Sequence, residues 1–156
     1  HRRGNHHWLN VGIIHGDGST APHNIDLKSN VWAARNMLAN PDLRRLALYA
    51  NSVLHIYASS IFDLYRDTME ALTSWPGAKL ERPFSGCEFP MVCLNFGPNV
   101  WTFKHRDVQN YPFGLCAVIA LGQFDHTSGG HLILWDFDLV IELPPGAVIL
   151  LPSALL

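Results

Sequence analysis

In the first half of the chain, apolar residues recur at the spacing of an α-helix. Between residues 43 and 72 they return every three or four positions, with polar residues on the opposite face, which predicts one long amphipathic helix. Asn40-Pro41 marks its start, because asparagine is a favoured N-cap and proline at the first helical position loses no hydrogen bond. Trp75-Pro76-Gly77 marks its end. A shorter helix is predicted over residues 27–39, so that residues 31–75 form a helical support.

From residue 88 onward the pattern changes to short apolar runs, each bounded by turn-forming residues. Six strands are predicted, over residues 89–96, 100–105, 115–121, 131–135, 139–143 and 147–151. Glycine and proline separate them, as at Ser128-Gly129-Gly130 and Pro144-Pro145-Gly146. One more strand is predicted over residues 8–14, within an otherwise irregular segment 1–30. Short strands with such turns favour a sandwich or jelly roll, and helices followed by strands favour the α+β class.

Composition and charge narrow the classes of protein that fit this pattern. A chain of 156 residues fits one domain, 1–156, and a 48% share of hydrophobic residues is enough to bury a core. The formal net charge is −2, so no broad basic field is available to hold nucleic acid, and such a substrate would need a local patch. Three cysteines without pairable spacing favour a reducing, intracellular compartment. No apolar run reaches transmembrane length, so no membrane partner is expected.

His105-Arg106-Asp107 is the sharpest chemical feature of the sequence. In an extended segment alternate residues point the same way, so His105 and Asp107 can present an imidazole and a carboxylate together. These are two of the three ligands of the 2-His-1-carboxylate facial triad, which holds Fe(II) and leaves positions open for co-substrate and O₂. The tripeptide alone is also compatible with a histidine and an aspartate at a strand end, solvated or hydrogen-bonded to a turn.

The surrounding motifs resemble a known family. They are Asn95-Phe96-Gly97, His105-Arg106-Asp107 with Asn110, the run from Leu115 to Gly122, Gly129-Gly130-His131-Leu132, and the segment from Leu143-Pro144-Pro145-Gly146 to Leu151-Pro152-Ser153-Ala154. In this order they are similar to the TET/base-J-binding-protein oxygenases, which are Fe(II)/2-oxoglutarate dioxygenases, and above all to the group expanded in mushroom-forming fungi. The resemblance covers roughly residues 88–156, and the N-terminal part carries no diagnostic motif.

The resemblance implies a double-stranded β-helix, a jelly-roll fold of the cupin type, with N-terminal helices supporting a partial core over residues 88–156. It puts His105 and Asp107 on iron and makes Fe(II) and 2-oxoglutarate the cofactors. The second histidine ligand is expected shortly after Leu156, and the arginine that binds 2-oxoglutarate further on, so the 156-residue chain is expected to be inactive. The implied substrate is 5-methylcytosine or thymine in nucleic acid, hydroxylated at its methyl group, with the nucleus as a candidate compartment.

Three further residues are candidates for the site. The resemblance puts Asn110 where it faces the target base, although an asparagine before Tyr111-Pro112 can also stabilise the turn. It suggests that His131, after the Gly129-Gly130 turn, helps to hold the 2-oxoglutarate carboxylate, and a surface histidine at a strand start is the alternative. Asn95 is a candidate for the pocket, next to the metal-bearing strand, or else a hydrogen-bonded edge residue.

Two other functions stay open at this point. A degenerate β-helix without the third ligand would be a non-catalytic binding module of a transposon-associated protein, and a cupin-like metal enzyme would use no 2-oxoglutarate. A histidine and an arginine after Leu156 would favour the dioxygenase. A glutamate ligand downstream of His105, without that arginine, would favour the cupin-like enzyme.

Two expectations concern the structure around the candidate site. The apolar run 148–156 is predicted to be an inner strand that runs toward His105, because Pro144-Pro145-Gly146 turns the chain just before it. Four aromatic side chains are expected in the core rather than on a surface against which bases stack. They are Trp101, Phe103, Phe113 and Trp135.

Overall fold

A computed structural model describes residues 3–16, 18–77 and 79–156, and the chain divides into two compact units. One unit spans His7–Phe96, and the other combines residues 3–6 with residues 97–156. Each has its own strands and is described separately below. Among the described residues, no helix combines the length and the apolar character that crossing a membrane requires.

The unit His7–Phe96 contains a three-stranded antiparallel sheet. The central strand β1 (His7–Ile14) lies between β2 (His23–Asn24) and β3 (Met91–Phe96). In the register of β1 with β3, Leu9 lies opposite Leu94. The apolar run predicted over residues 8–14 is therefore a strand, and it pairs with the run at 91–96, which is far away in sequence.

Three helices lie between β2 and β3 in this unit. They are α1 (Val31–Ala39), α2 (Pro41–Tyr57) and α3 (Ser59–Thr73). The predicted cap of α2 is confirmed, since Asn40 Oδ1 accepts hydrogen bonds from the backbone N–H groups of Asp42 (2.8 Å) and Leu43 (3.2 Å).

The prediction of one long helix over residues 43–72 is wrong, because the helix breaks at Ala58. This residue has φ −146° and ψ 56°, outside the helical region, and its carbonyl oxygen accepts from the N–H groups of Ile61 and Phe62 to begin α3. Apolar spacing continues across the break, and no proline or glycine stands there. The sequence pattern therefore carries no signal for it.

Two core clusters of this unit lie between the sheet and the helices α1 and α3. Leu9 and Val11 of β1 pack with Ala34 of α1, while Ile13 packs with Met69 of α3 and with Leu80. These side chains alternate along β1, as expected for a strand with one face covered. The sheet thus buries its apolar face against α1 and α3.

The unit formed by residues 3–6 and 97–156 contains two small antiparallel sheets. Strand β4 (Cys116–Ile119) pairs with β7 (Val148–Leu151), and β5 (Leu132–Leu134) pairs with β6 (Leu139–Ile141). In the first pair, Cys116 lies opposite Leu151.

The sequence prediction of six strands after residue 88 is wrong by one. Residues 100–105 do not form a strand and contribute a single bridge, between Thr102 and Arg3. Strands β3 to β7 account for the other five predicted runs. Neither sheet of the unit 97–156 closes, and the double-stranded β-helix stays a prediction.

Candidate metal centre

His105 and Asp107 lie side by side in the irregular segment between Thr102 and β4. The distance between His105 Nε2 and Asp107 Oδ1 is 3.6 Å, and both side chains are about a quarter exposed. The two side chains therefore lie together as the sequence predicts, although residues 103–107 belong to no strand. A histidine nitrogen and a carboxylate oxygen at this separation form either an ion pair or two corners of a metal site.

A backbone carbonyl fixes which nitrogen of His105 carries its proton. Nδ1 lies 2.7 Å from the carbonyl oxygen of Phe103, and only an N–H can donate to that oxygen. In the neutral imidazole, Nε2 then has the lone pair and faces the Asp107 carboxylate. Metal-bound histidines are held in this way, with the second ring nitrogen donating to a carbonyl or a carboxylate.

Two backbone hydrogen bonds hold Asp107 in place. Its backbone N–H donates to the carbonyl oxygen of Ser153 (2.8 Å), and its own carbonyl oxygen accepts from the N–H of Asn110 (2.8 Å). Ser153 follows β7, so the end of that strand lies next to Asp107, close to where the sequence predicted it. The strand itself stops at Leu151, and residues 152–156 form a turn closed by hydrogen bonds to the carbonyl of Pro152.

The residues that alternate with His105 and Asp107 contact the β5–β6 hairpin. Arg106 forms an ion pair with Asp136, and Lys104 Nζ lies 5.2 Å from the ring centroid of Trp135, within the range of a cation–π contact. Both contacts involve residues in the turn that joins β5 to β6. The loop is therefore attached to the hairpin by its basic side chains, while His105 and Asp107 remain together.

A third metal ligand is not found within the described ranges 3–16, 18–77 and 79–156, where no three His, Cys, Asp or Glu side chains converge. His126 lies 3.9 Å from Glu142 and forms a separate histidine–carboxylate pair. His131 is half-buried and stands directly before β5. A role of His131 in binding 2-oxoglutarate stays a prediction.

The two asparagines predicted for the site differ in their surroundings. Asn110 is half-buried and its Nδ2 donates both to Ser153 Oγ (2.9 Å) and to Cys116 Sγ (3.2 Å). Those contacts join Asn110 to β4 and to the segment after β7, while stabilisation of the turn before Tyr111-Pro112 and a contact with a target base both stay predictions. Asn95 is exposed on β3, in the other compact unit, where its Oδ1 accepts from the Cys93 thiol at 3.8 Å.

The expectation that four aromatic side chains near the site belong to the core is wrong. Each is about half exposed or more, because the segments that carry them are loops and turns with no layer of side chains over them. The exposed fractions are 49% for Trp101, 57% for Phe103, 76% for Phe113 and 55% for Trp135. Trp101 and Phe103 pack edge to face with a centroid distance of 4.8 Å. Phe113 packs instead against Tyr111, with a centroid distance of 5.7 Å.

Comparison of the chain with protein-family models, with curated proteins and with solved structures finds no match in any of the three. No relative therefore supplies a ligand or an activity for His105 and Asp107. What supports a function is the geometry of these two residues, together with the motifs in the sequence around them.

Proposed function

We propose that the chain is part of an Fe(II)/2-oxoglutarate-dependent dioxygenase in which His105 and Asp107 are two of the three iron ligands. The observation that carries the proposal is the hydrogen bond from His105 Nδ1 to Phe103, with Nε2 turned to the Asp107 carboxylate. Two electron-rich atoms facing each other are stabilised by a cation between them. A proton fills that role in an ion pair, and a metal ion fills it in an oxygenase.

The donor set and its spacing are compatible with a divalent metal. Donors that lie about 2.1 Å from a metal ion and occupy neighbouring positions, as facial ligands do, are roughly 3.0 Å apart, so the 3.6 Å between Nε2 and Oδ1 would have to shorten by about 0.6 Å. Imidazole plus carboxylate is the pair that non-haem Fe(II) sites use. We propose that the third ligand is a histidine after Leu156 and that an arginine beyond it binds 2-oxoglutarate, as the sequence resemblance implies.

The proposed substrate is a methylated pyrimidine in nucleic acid, 5-methylcytosine or thymine. With iron held by His105 and Asp107 and 2-oxoglutarate as co-substrate, the site would supply O₂-dependent oxidation: one atom of O₂ would enter the hydroxylated methyl group and the other would enter succinate, with release of CO₂. Exposed aromatic rings at Trp101 and Phe103 lie beside the ligand loop, and unpaired bases stack readily on such rings. Lys104 adds a positive charge beside the loop in a chain whose net charge is −2, whereas the charge of Arg106 is paired with Asp136.

Metal titration of the 156-residue chain tests the proposal. Co(II) is the probe, because its visible absorption reports ligand number and geometry. We expect weak binding, and we expect His105→Ala and Asp107→Ala each to weaken it by about tenfold or more, since a site with one ligand fewer holds the metal poorly. His126→Ala and Glu142→Gln are matched controls, because they remove the other histidine–carboxylate pair of this unit. Equal Co(II) affinity in all five proteins would refute the proposal.

A non-catalytic binding module is the second candidate. It is favoured by the convergence of only two metal-binding side chains at His105 among the described residues. The sequence beyond Leu156 separates the two candidates, since a histidine and an arginine there would support the enzyme. A protein that includes them should form succinate from 2-oxoglutarate when given methylated oligonucleotide, and a binding module should form none.

A further inference from the structure

Three half-buried side chains behind the ligand loop form a closed triangle of hydrogen bonds. Asn110 Nδ2 donates to Ser153 Oγ at 2.9 Å and to Cys116 Sγ at 3.2 Å, and the Ser153 hydroxyl donates to the same sulfur at 3.1 Å. The triangle joins the loop of Asp107 to β4 through Cys116 and to the segment after β7 through Ser153.

The triangle acts on Asp107 through two backbone hydrogen bonds. The carbonyl oxygen of Ser153 accepts a hydrogen bond from the Asp107 N–H. The N–H of Asn110 donates to the carbonyl oxygen of Asp107. Two members of the triangle therefore hold the peptide groups on either side of the Asp107 side chain. Because metal ligands must be held to within a few tenths of an ångström, such supports strongly affect metal affinity.

We infer that Ser153, Asn110 and Cys116 are positioning residues for the Asp107 ligand, so that the amide of Asn110 faces inward and holds the loop. This inference rests on the proposed function, because it assigns these residues to the support of the same metal site. It gives Asn110 a role different from the contact with a target base that the resemblance implies.

The chemistry of Cys116 suits this role. Burial has the largest effect on the thiol and raises its pKa. The hydrogen bond from Ser153 lowers that pKa, and the negative charge of Asp107 raises it. The sulfur therefore stays a neutral acceptor at neutral pH and adds no second negative charge beside the ligand carboxylate. A thiol sulfur is a weak acceptor, and here it receives both donors.

Four variants of the triangle, one control variant and two measurements test the inference. Ser153→Ala, Asn110→Ala and Cys116→Ala each open the triangle, and Ser153→Thr keeps the hydroxyl. Ser128→Ala is the matched control, because the Ser128 hydroxyl also holds an aspartate, at 2.6 Å from Asp125 Oδ2, in a separate turn. Amide hydrogen exchange at Asp107 and Asn110 is measured without metal, and Co(II) affinity and absorption are measured on the same samples.

We expect about tenfold faster exchange at Asp107 in the three alanine variants, and Co(II) binding weakened by about tenfold with an altered absorption spectrum. Ser153→Thr should restore both properties, and Ser128→Ala should leave both unchanged. Faster exchange with unchanged Co(II) affinity and spectrum, while His105→Ala still weakens binding, would overturn the inference alone. Co(II) binding that is insensitive to both His105→Ala and Asp107→Ala would overturn the proposed function and the inference with it.

Discussion

At the scale of single residues, the sequence predicts that a histidine and an aspartate lie together. It does not reveal the side chains that hold the aspartate in place. Spacing of two along an extended chain predicts that His105 and Asp107 meet, and they do, at 3.6 Å. Ser153 and Cys116 carry no signal in the sequence, because their contact with Asn110 depends on the register that puts Cys116 opposite Leu151. Only the pairing of β4 with β7 brings these distant residues together.

A residue-scale prediction concerns Asp125, whose carboxylate accepts from the hydroxyls of Ser128 and Thr127 and from the Thr127 N–H. These bonds lower its pKa from 3.8 to about 2. The carboxylate therefore stabilises the folded state above pH 3.8, and that contribution is lost as the pH falls through about 2. Ser128→Ala should raise the pKa of Asp125, as followed by its carboxyl carbon in an NMR titration.

His126→Ala is the control for that titration. The charge of the His126 ring is the smallest of the effects that lower the pKa of Asp125, and the Ser128 hydroxyl is the largest. The shift in His126→Ala should accordingly be smaller than in Ser128→Ala. A pKa of Asp125 near 3.8 in the unmodified chain would contradict the hydrogen-bonded turn.

At the scale of elements, the sequence predicts most helices and strands but not where they end or what they pair with. Helix α2 begins at its expected cap, because Asn40 and Pro41 act locally. The break at Ala58 was missed, because apolar spacing continues through it. The pairing of β1 with β3 was missed as well, since strand partners more than 75 residues apart leave no local pattern.

A prediction at this scale concerns the approach of β1 to β3 at Gly12. This glycine has φ +132°, and a Cβ there would lie 2.2 Å from the carbonyl oxygen of Pro90. Gly12→Ala should lower the free energy of unfolding by more than about 3 kcal/mol, because it adds a backbone clash to the strain of positive φ. The measurement is chemical denaturation.

Gly16→Ala separates the two causes. Gly16 has φ +130°, and no atom lies within 4 Å of the position of a new Cβ. This variant should show only the cost of backbone strain, about 1–3 kcal/mol. Equal losses of stability in Gly12→Ala and Gly16→Ala would mean that β3 does not approach β1 as closely as described.

At the scale of the whole molecule, the helices follow β1 and β2 and precede β3 to β7, and the compact units cut across that order. The first unit takes β3 from the predicted β-rich region and pairs it with β1. The second unit keeps the remaining four strands and both candidate ligands. The division into two units follows from strand pairing between distant segments. Apolar periodicity within one segment does not reveal which strands pair.

The central claim is that a divalent metal binds between His105 and Asp107, and paramagnetic NMR with Mn(II) tests it most directly. Substoichiometric Mn(II) should broaden the amide signals of residues 105–110 and of Ser153 first, because the Ser153 carbonyl oxygen accepts the hydrogen bond from the Asp107 N–H. That selective broadening should disappear in His105→Ala. Broadening that centres on His126 and Glu142, or that persists in His105→Ala, would contradict the claim.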